Sequence, residues 1–409
     1  MEIRPILSTL RRHKTAAALI VIEIALSCAI VCNALFLVSD RLDRMNMPSG
    51  VAENELVRIQ AASLRQLGDT NGDISKAVTR EYLDTLRGVP GVKQATAATQ
   101  IPFGGSSNNS GVRLTSEQQN NTLNATVYMD DGNLLETFGL KLLSGRDFVP
   151  DEYQDMSVVE KSGDDGRIPA MIINRTMAEK LFPGQNAVGK SIYSWGNAPI
   201  PVVGVVEELV RPNSLGLGQY SMIFPIRSYW PGMQYVLRTD PARRGEVLKA
   251  AIDALKRADP GLVVVQQGTF SELRAGFFQQ DKAMAWMLVV VIAALLAVTA
   301  LGIVGLASFW VQQRTKQIGV RRALGATRAQ IMRYFQTENF LLATAGIVIG
   351  MLLAFGINQL LMSKYELPRL PWPYLPIGAA ILWALGQVSV LWPARRAAGI
   401  PPAIATRSA

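Results

Sequence analysis

Histidine is almost missing from this chain of 409 residues: there is one, His13, close to the start. Imidazole-based metal sites and catalytic dyads that use histidine as the base are therefore excluded from everything after it. Cysteine is nearly as scarce. Cys28 and Cys32 lie four apart in one apolar run, where a helix points them along the same face without disulfide geometry. They read as small apolar packing residues, and the rest of the chain has no disulfide staple and depends on its core. Ionisable side chains are absent from 283–313, and acids are absent from Arg314 through Arg333, a stretch that carries six bases.

What is present is apolar length. A helix needs about 20 apolar residues to cross a bilayer core, and four segments qualify: 16–38, 283–310, 340–362 and 374–392. The second is longer than the hydrocarbon layer requires, so it tilts or projects. The fourth follows prolines at 371 and 373 and has Pro376 in its first turn, where proline costs little, and Trp372 and Tyr374 suit an interface. The first run is longer than the core of a signal peptide and ends in no small-x-small cleavage site, so it reads as an uncleaved anchor.

Basic residues set the expected orientation. Arg4, Arg11, Arg12 and Lys14 precede the first span; Arg314, Lys316, Arg321, Arg322, Arg328 and Arg333 lie between the second and third; Arg395, Arg396 and Arg407 follow the fourth. Across 1–15, 314–333 and 393–409 these thirteen bases face one acid, Glu2, a surplus larger than the formal charge of +9 for the whole chain. The basicity is thus topological, and a pI near 9.6 gives no support to a nucleic-acid partner. The expected chain is an inner-membrane, multi-pass protein: a cytoplasmic N-terminus (1–15), an extracytoplasmic domain (39–282), a cytoplasmic loop (311–339), a short outer loop (363–373) and a cytoplasmic tail (393–409).

The extracytoplasmic region is long enough for two lobes. Residues 55–60 read as a strand, 79–87 as a helix stopped by Gly88 and Pro90, and 92–99 as a strand; 234–238, 243–258 and 262–266 repeat the strand, helix, strand order. Two separated β-α-β units predict a split ferredoxin-like α+β lobe. Residues 140–228, richer in Gly, Pro and Asn, predict a second lobe inserted into the first, with 150–167 as a polar loop.

Several motifs compete with blander readings. Gly184–Ser191, GQNAVGKS, satisfies the phosphate-loop pattern G-x-x-x-x-G-K-[ST]. That loop needs a strand before it and a helix after it, whereas here a helical MAEKLF precedes it, so the match reads as chance. Leu143-Ser144-Gly145, a fragment of an ATP-cassette signature, is dismissed on the same topology. Glu23 is an ionisable group inside a span and by default a functional candidate. Its plainer reading is a carboxyl protonated or hydrogen-bonded against a neighbouring helix, and one acid makes no proton relay. Gly346, Gly350 and Ala354 form a small-residue stripe that permits close helix packing, within the chain or across a dimer seam, and Asn358 is one turn further on.

The central loop carries the sharpest pattern: QIGVRRALGA, 317–326, a short basic helix punctuated by Gly319 and Gly325 with the apolar Leu324 near its end. This phrase resembles the signature loop of the MacB/FtsX-like permease family. The phrases GLKLLSGRDF (139–148), AMIINRTMAEKLFPGQNAVGKSI (170–192) and PVVGVVEEL (201–209) are similar to MacB-type extracytoplasmic domains, in the same order between the first and second spans. The tail WPARRAAGIPPAIATRS resembles the family ending without its aromatic-acidic finish.

The resemblance implies the permease subunit of an ABC transporter, not itself an enzyme. It implies no cofactor on this chain, with ATP and Mg bound by separate ATPase subunits. It assigns Arg314, Gln317, Gly319, Arg321, Arg322, Leu324, Gly325 and Ala326 to coupling with that ATPase, with Leu324 as an anchor and Arg321 and Arg322 as charged contacts. Gln317 stands where relatives usually have glutamate, which removes one salt bridge. The implied partners are a second permease copy or sister permease, a periplasmic adaptor, an outer-membrane duct and membrane lipid. The implied work is mechanical export of a drug, peptide or lipid-like cargo from the periplasm, driven through helical stalks at 39–47 and 270–282. Lipoprotein release and non-transport regulation of cell-wall hydrolases are the alternatives within the family.

Overall fold

The computed structural model describes residues 14–70, 72–162, 167–213, 218–365 and 369–401. Glu2, Arg4, Arg11, Arg12 and Arg407 of the charge reading, together with His13, lie outside them. The chain forms two compact units: one is built from the chain up to Asn46 and from Gln280 onward, the other from Met47–Gln279.

The first helix, α1 (Lys14–Asn46), leads into β1 (Leu56–Ser63), α2 (Asp73–Arg87), β2 (Val92–Ala98), β3 (Asn109–Val112), β4 (Leu123–Met129) and α3 (Leu134–Phe138). Next come β5 (Leu142–Gly145), β6 (Gln154–Asp155), α4 (Met156–Ser162), β7 (Met171–Asn174), α5 (Arg175–Leu181), β8 (Ser191–Tyr193) and β9 (Pro199–Val206). The domain closes with β10 (Ser221–Phe224), β11 (Ile226–Arg227), β12 (Met233–Thr239), α6 (Arg244–Ala258), β13 (Leu262–Thr269) and α7 (Phe270–Phe277). Four helices follow among the described residues: α8 (Gln279–Gln313), α9 (Thr315–Ala323), α10 (Arg328–Tyr365) and α11 (Tyr374–Ala398).

In the α+β unit the two β-α-β units interleave into one antiparallel sheet of order β13-β1-β12-β2. This is the split ferredoxin-like lobe. Val57, Ile59, Tyr82, Leu86, Tyr235, Leu237 and Leu255 fill the space between sheet and helices, and the Tyr82 and Tyr235 rings meet at 5.5 Å. Helix α2 begins at Asp73, earlier than periodicity indicated, because the Asp69 carboxylate accepts the N–H groups of Gly72 (3.0 Å) and Ser75 (2.7 Å) and so satisfies free donors of the first turn.

The inserted lobe is larger than the expected 140–228. Its main sheet has the order β3-β4-β10-β7-β9-β5 with β8 on β9, so it starts at Asn109 and draws on residues as far as Phe224, with β11 and β6 in a separate two-stranded sheet. The cause is a parallel pairing of β4 with β10, Thr126 opposite Ser221 through Met129 opposite Phe224. A partner almost a hundred residues away leaves no local signal. The expected loop at 150–167 is also corrected, because it contains β6 and α4; β6 is paired with β11.

Among the described residues the helical unit has four helices long and apolar enough to cross a membrane, α1, α8, α10 and α11. Nearly two-thirds (61%) of the apolar window of α1 is buried but only 11% of that of α8, which makes α1 the central helix and leaves α8 at the periphery. Helix α10 starts at Arg328, well before the span expected at 340–362, and helix α9 occupies most of the chain between α8 and α10.

Candidate functional site

The coupling segment is a helix and a turn whose shape is written into LGATRAQ. The last turn of α9 closes with Ala326 N–H donating to Arg321 O (3.0 Å) and Gly325 N–H donating to Arg322 O (3.1 Å). Gly325 takes φ +95°. This is a Schellman C-cap, with glycine at the left-handed position that side chains resist. Two residues later, Thr327 and Gln330 form a reciprocal capping box at the start of α10, with N···O distances of 2.9 and 3.2 Å.

This frame divides the residues assigned to coupling into two sets. Arg314 is inside the fold: its Nη1 donates to both oxygens of Glu338 at 3.0 and 2.8 Å, and the two side chains are 7% and 2% exposed. Its guanidinium also lies 5.5 Å from the centre of the Trp310 ring. Arg314 therefore joins the end of α8 to α10, a correction to its assignment as an ATPase contact. Arg322 also turns inward, donating from Nη1 to Ala398 O and Ile400 O at 2.9 Å each, where it satisfies carbonyls at the end of α11. Gly319 is buried. Gln317, Arg321, Leu324 and Gly325 face outward, with Ala326 partly covered. Arg321 lies over the ring of Tyr334 at 5.1 Å, and Leu324 is 83% exposed.

Glu338 and Tyr334 were missed in the sequence. The available signal was an acid at the entrance to an apolar helix, one span away from a run of unpaired bases.

Elsewhere in the helical unit the small residues pack within the chain. A Cβ on Gly346 would come within 2.8 Å of Ile24 Cβ, and one on Gly350 within 2.6 Å of Ala25 O. Ala354 is fully buried, and its carbonyl accepts from Asn33 Nδ2 at 3.1 Å. Asn358 Oδ1 accepts the Leu370 N–H at 2.9 Å, holding the segment before α11 instead of a neighbouring helix. The Glu23 carboxyl lies against Gly302 of α8, where a Cβ would be 2.5 Å from Oε1. Beside it, Ser27 and Thr299 share a hydrogen bond of 2.8 Å. Cys28 and Cys32 are buried free thiols, 3.9 Å apart.

The phosphate-loop lookalike follows α5 and leads into the strand β8, the reverse of the strand-loop-helix order that phosphate binding uses. Lys190 donates to Gln185 at 2.6 Å and lies over the Phe182 ring. The Leu143-Ser144-Gly145 fragment is part of β5.

Two family models match this chain: the MacB-like periplasmic core domain over residues 15–258, more than half of its length, and the FtsX-like permease C-terminal region over 289–402. The chain belongs to the MacB/FtsX-like permease family. Within it, the ABC transporter permease YknZ of Bacillus subtilis is 24% identical over 82% of this chain and 81% of its own length. The macrolide export ATP-binding/permease protein MacB of Chromobacterium violaceum is 25% identical over 69% of this chain, which spans 43% of that protein. Among solved structures, the extracellular domain of YknZ from Gram-positive bacteria overlays with a TM-score of 0.32 at 20% identity, covering 51% of this chain and all of that one. The periplasmic region of MacB from Actinobacillus actinomycetemcomitans gives 0.34 at 15% identity, covering 57% and 97%. As a MacB/FtsX-type permease, this chain is the membrane component of an ABC transporter, with four apolar helices and a large α+β domain.

Proposed function

We propose that this permease works as a dimer, with itself or a sister permease, on separate ATPase subunits that bind ATP and Mg. ATP-driven closure draws the α9 helices together, and α1 and α8 carry the movement along the chain into the α+β domain. The ion pair between Arg41 and Asp281, which ties the far ends of α1 and α8, supports joint movement of the two. The cargo is a drug, peptide or lipid-like molecule held outside, passed to an adaptor and an outer-membrane duct. The permease relatives YknZ and YvrN, matched over 81% and 69% of their lengths, support an ATPase on a separate chain.

The proposed orientation puts α9 and both termini in the cytoplasm, supported by the bases around the spans. With both native cysteines buried, an impermeant maleimide on whole cells is expected to label a cysteine at Asn108 and not one at Arg321. The opposite pattern refutes the orientation.

The observation that carries the coupling role is Leu324, an apolar side chain exposed at the end of a turn made rigid by two caps. Water alone gives no reason to hold it there, and a groove on a partner does. Leu324→Asp should reduce co-purification of the ATPase subunit about tenfold or more, the loss expected of a central anchor. The amount and melting temperature of the permease should stay unchanged. Undiminished co-purification with normal ATP turnover rejects the coupling role.

A further inference from the structure

A cleft of about 300 Å³ opens in the α+β domain between the first turn of α2 and the inserted lobe, a volume at the lower end of small-molecule sites. Its walls are acidic. Asp69, Asp73, Asp155 and Glu160 line it against a single base, Lys76. Two of these carboxylates are already engaged, Asp69 with the backbone of α2 and Asp155 with Lys76. Asp73 and Glu160 have no ion pair among the described residues and are exposed.

Two further observations bear on what the cleft could hold. Ser228 is 5% exposed and its Oγ has no hydrogen-bond partner among the described residues, although it lines the cleft. A buried hydroxyl left unpaired is destabilising, and a ligand in the cleft can relieve that. Next to it are the rings of Tyr229 and Trp230, the latter 39% exposed. Lys76 Nζ already lies 5.7 Å from the centre of the Tyr229 ring, so an ammonium over an aromatic face is part of this site's own chemistry. Burial and the negative charges of Asp131 and Asp155 push the Tyr229 phenol up to about 12.

We propose that this cleft binds a small organic amine, its ammonium drawn by Asp73 and Glu160, its carbon body on Tyr229 and Trp230, and a polar atom paired with Ser228 Oγ. The inference rests on the permease reading only in making such an amine a cargo. Binding itself is measured on the purified full chain in detergent, without an ATPase.

The probe is dansylcadaverine, an alkylamine carrying an aromatic fluorophore whose emission rises in an apolar site, with neutral dansylamide as control. Saturable enhancement is expected for the amine, with the neutral compound binding about tenfold or more weakly for want of the charge-assisted contact. Asp73→Asn combined with Glu160→Gln should weaken the amine about tenfold, and Trp230→Ala about threefold or more. These three side chains are exposed, so melting temperatures should hold; if the double variant melts early, Trp230→Ala decides. Ser228→Ala should weaken binding while leaving the melting temperature equal or higher, a combination that a purely structural serine does not give. Equal binding of dansylamide, indifference to both the double variant and Trp230→Ala, or displacement by calcium at an ionic strength where sodium has no effect would overturn the proposal. None of these results bears on ATPase coupling, and failed coupling at Leu324 leaves the cleft untouched.

Discussion

Gly350→Leu is expected to abolish accumulation of folded protein. The Cβ of any residue at 350 would be 2.5 Å from Cys28 Cβ and 2.6 Å from Ala25 O. The obstacle is therefore backbone as well as side chain, and α1 must move away from α10 for the substitution to fit. Overpacking of a core that can relax costs about 1–3 kcal/mol. Here α1 is the central helix of its unit, so a cost above about 4 kcal/mol is the expectation, in the range reserved for severe core damage. The same change at Gly356 on the same helix provides the control, since a Cβ there meets nothing within 4 Å. Gly356→Leu should express and melt as the parent does. Yield after detergent extraction and thermal unfolding monitored by fluorescence measure both; equal behaviour of the two variants would show that α1 and α10 do not pack as described.

The second large effect is expected at Arg314 and Glu338. Removing either partner leaves a charge that is already almost out of water, and a broken buried pair of this kind costs about 3–5 kcal/mol. Arg314→Ala and Glu338→Ala should therefore each lower the melting temperature strongly and to a similar extent. Arg314→Met combined with Glu338→Leu should regain most of the loss, because apolar residues of similar volume need no charge partner. A double-mutant cycle in thermal unfolding reads this directly. If Arg314 were instead a contact to the ATPase, Arg314→Ala would leave the melting temperature unchanged and reduce only ATPase co-purification, and Glu338→Ala would be silent in both. One loop thus contains a residue that holds the helices together and, ten positions on, at Leu324, an exposed side chain.

Much of the fold was legible because its signals are local. Apolar length marked four helices, and periodicity with Gly and Pro stops marked the two β-α-β units whose strands form one sheet. The punctuation at Gly325 after α9 was readable too, whereas the Thr327, Gln330 cap was passed over although it depends on residues within one turn. The inserted lobe was misjudged at its start because β3 and β4 owe their place to β10, whose separation in sequence hides the pairing. The candidate site was half legible for the same reason. Six bases in an acid-free stretch gave the charge and its expected side of the membrane, but charge by itself does not say which guanidinium is free.

By itself, then, the sequence determined the number of apolar helices, the alternation that builds the ferredoxin-like lobe, the exclusion of histidine and disulfide chemistry, and the family, since each rests on composition or on neighbours close in the chain. Tertiary structure alone decided that α1 is central and α8 peripheral, that Arg314 and Arg322 serve the helical unit while Arg321 and Leu324 face outward, and that carboxylates from two lobes share a cleft with Ser228, whose hydroxyl has no partner among the described residues. These depend on which side chains meet across long sequence separations, where burial and a partner's geometry, not residue type, settle whether a charge is spent inside the protein or offered to something else.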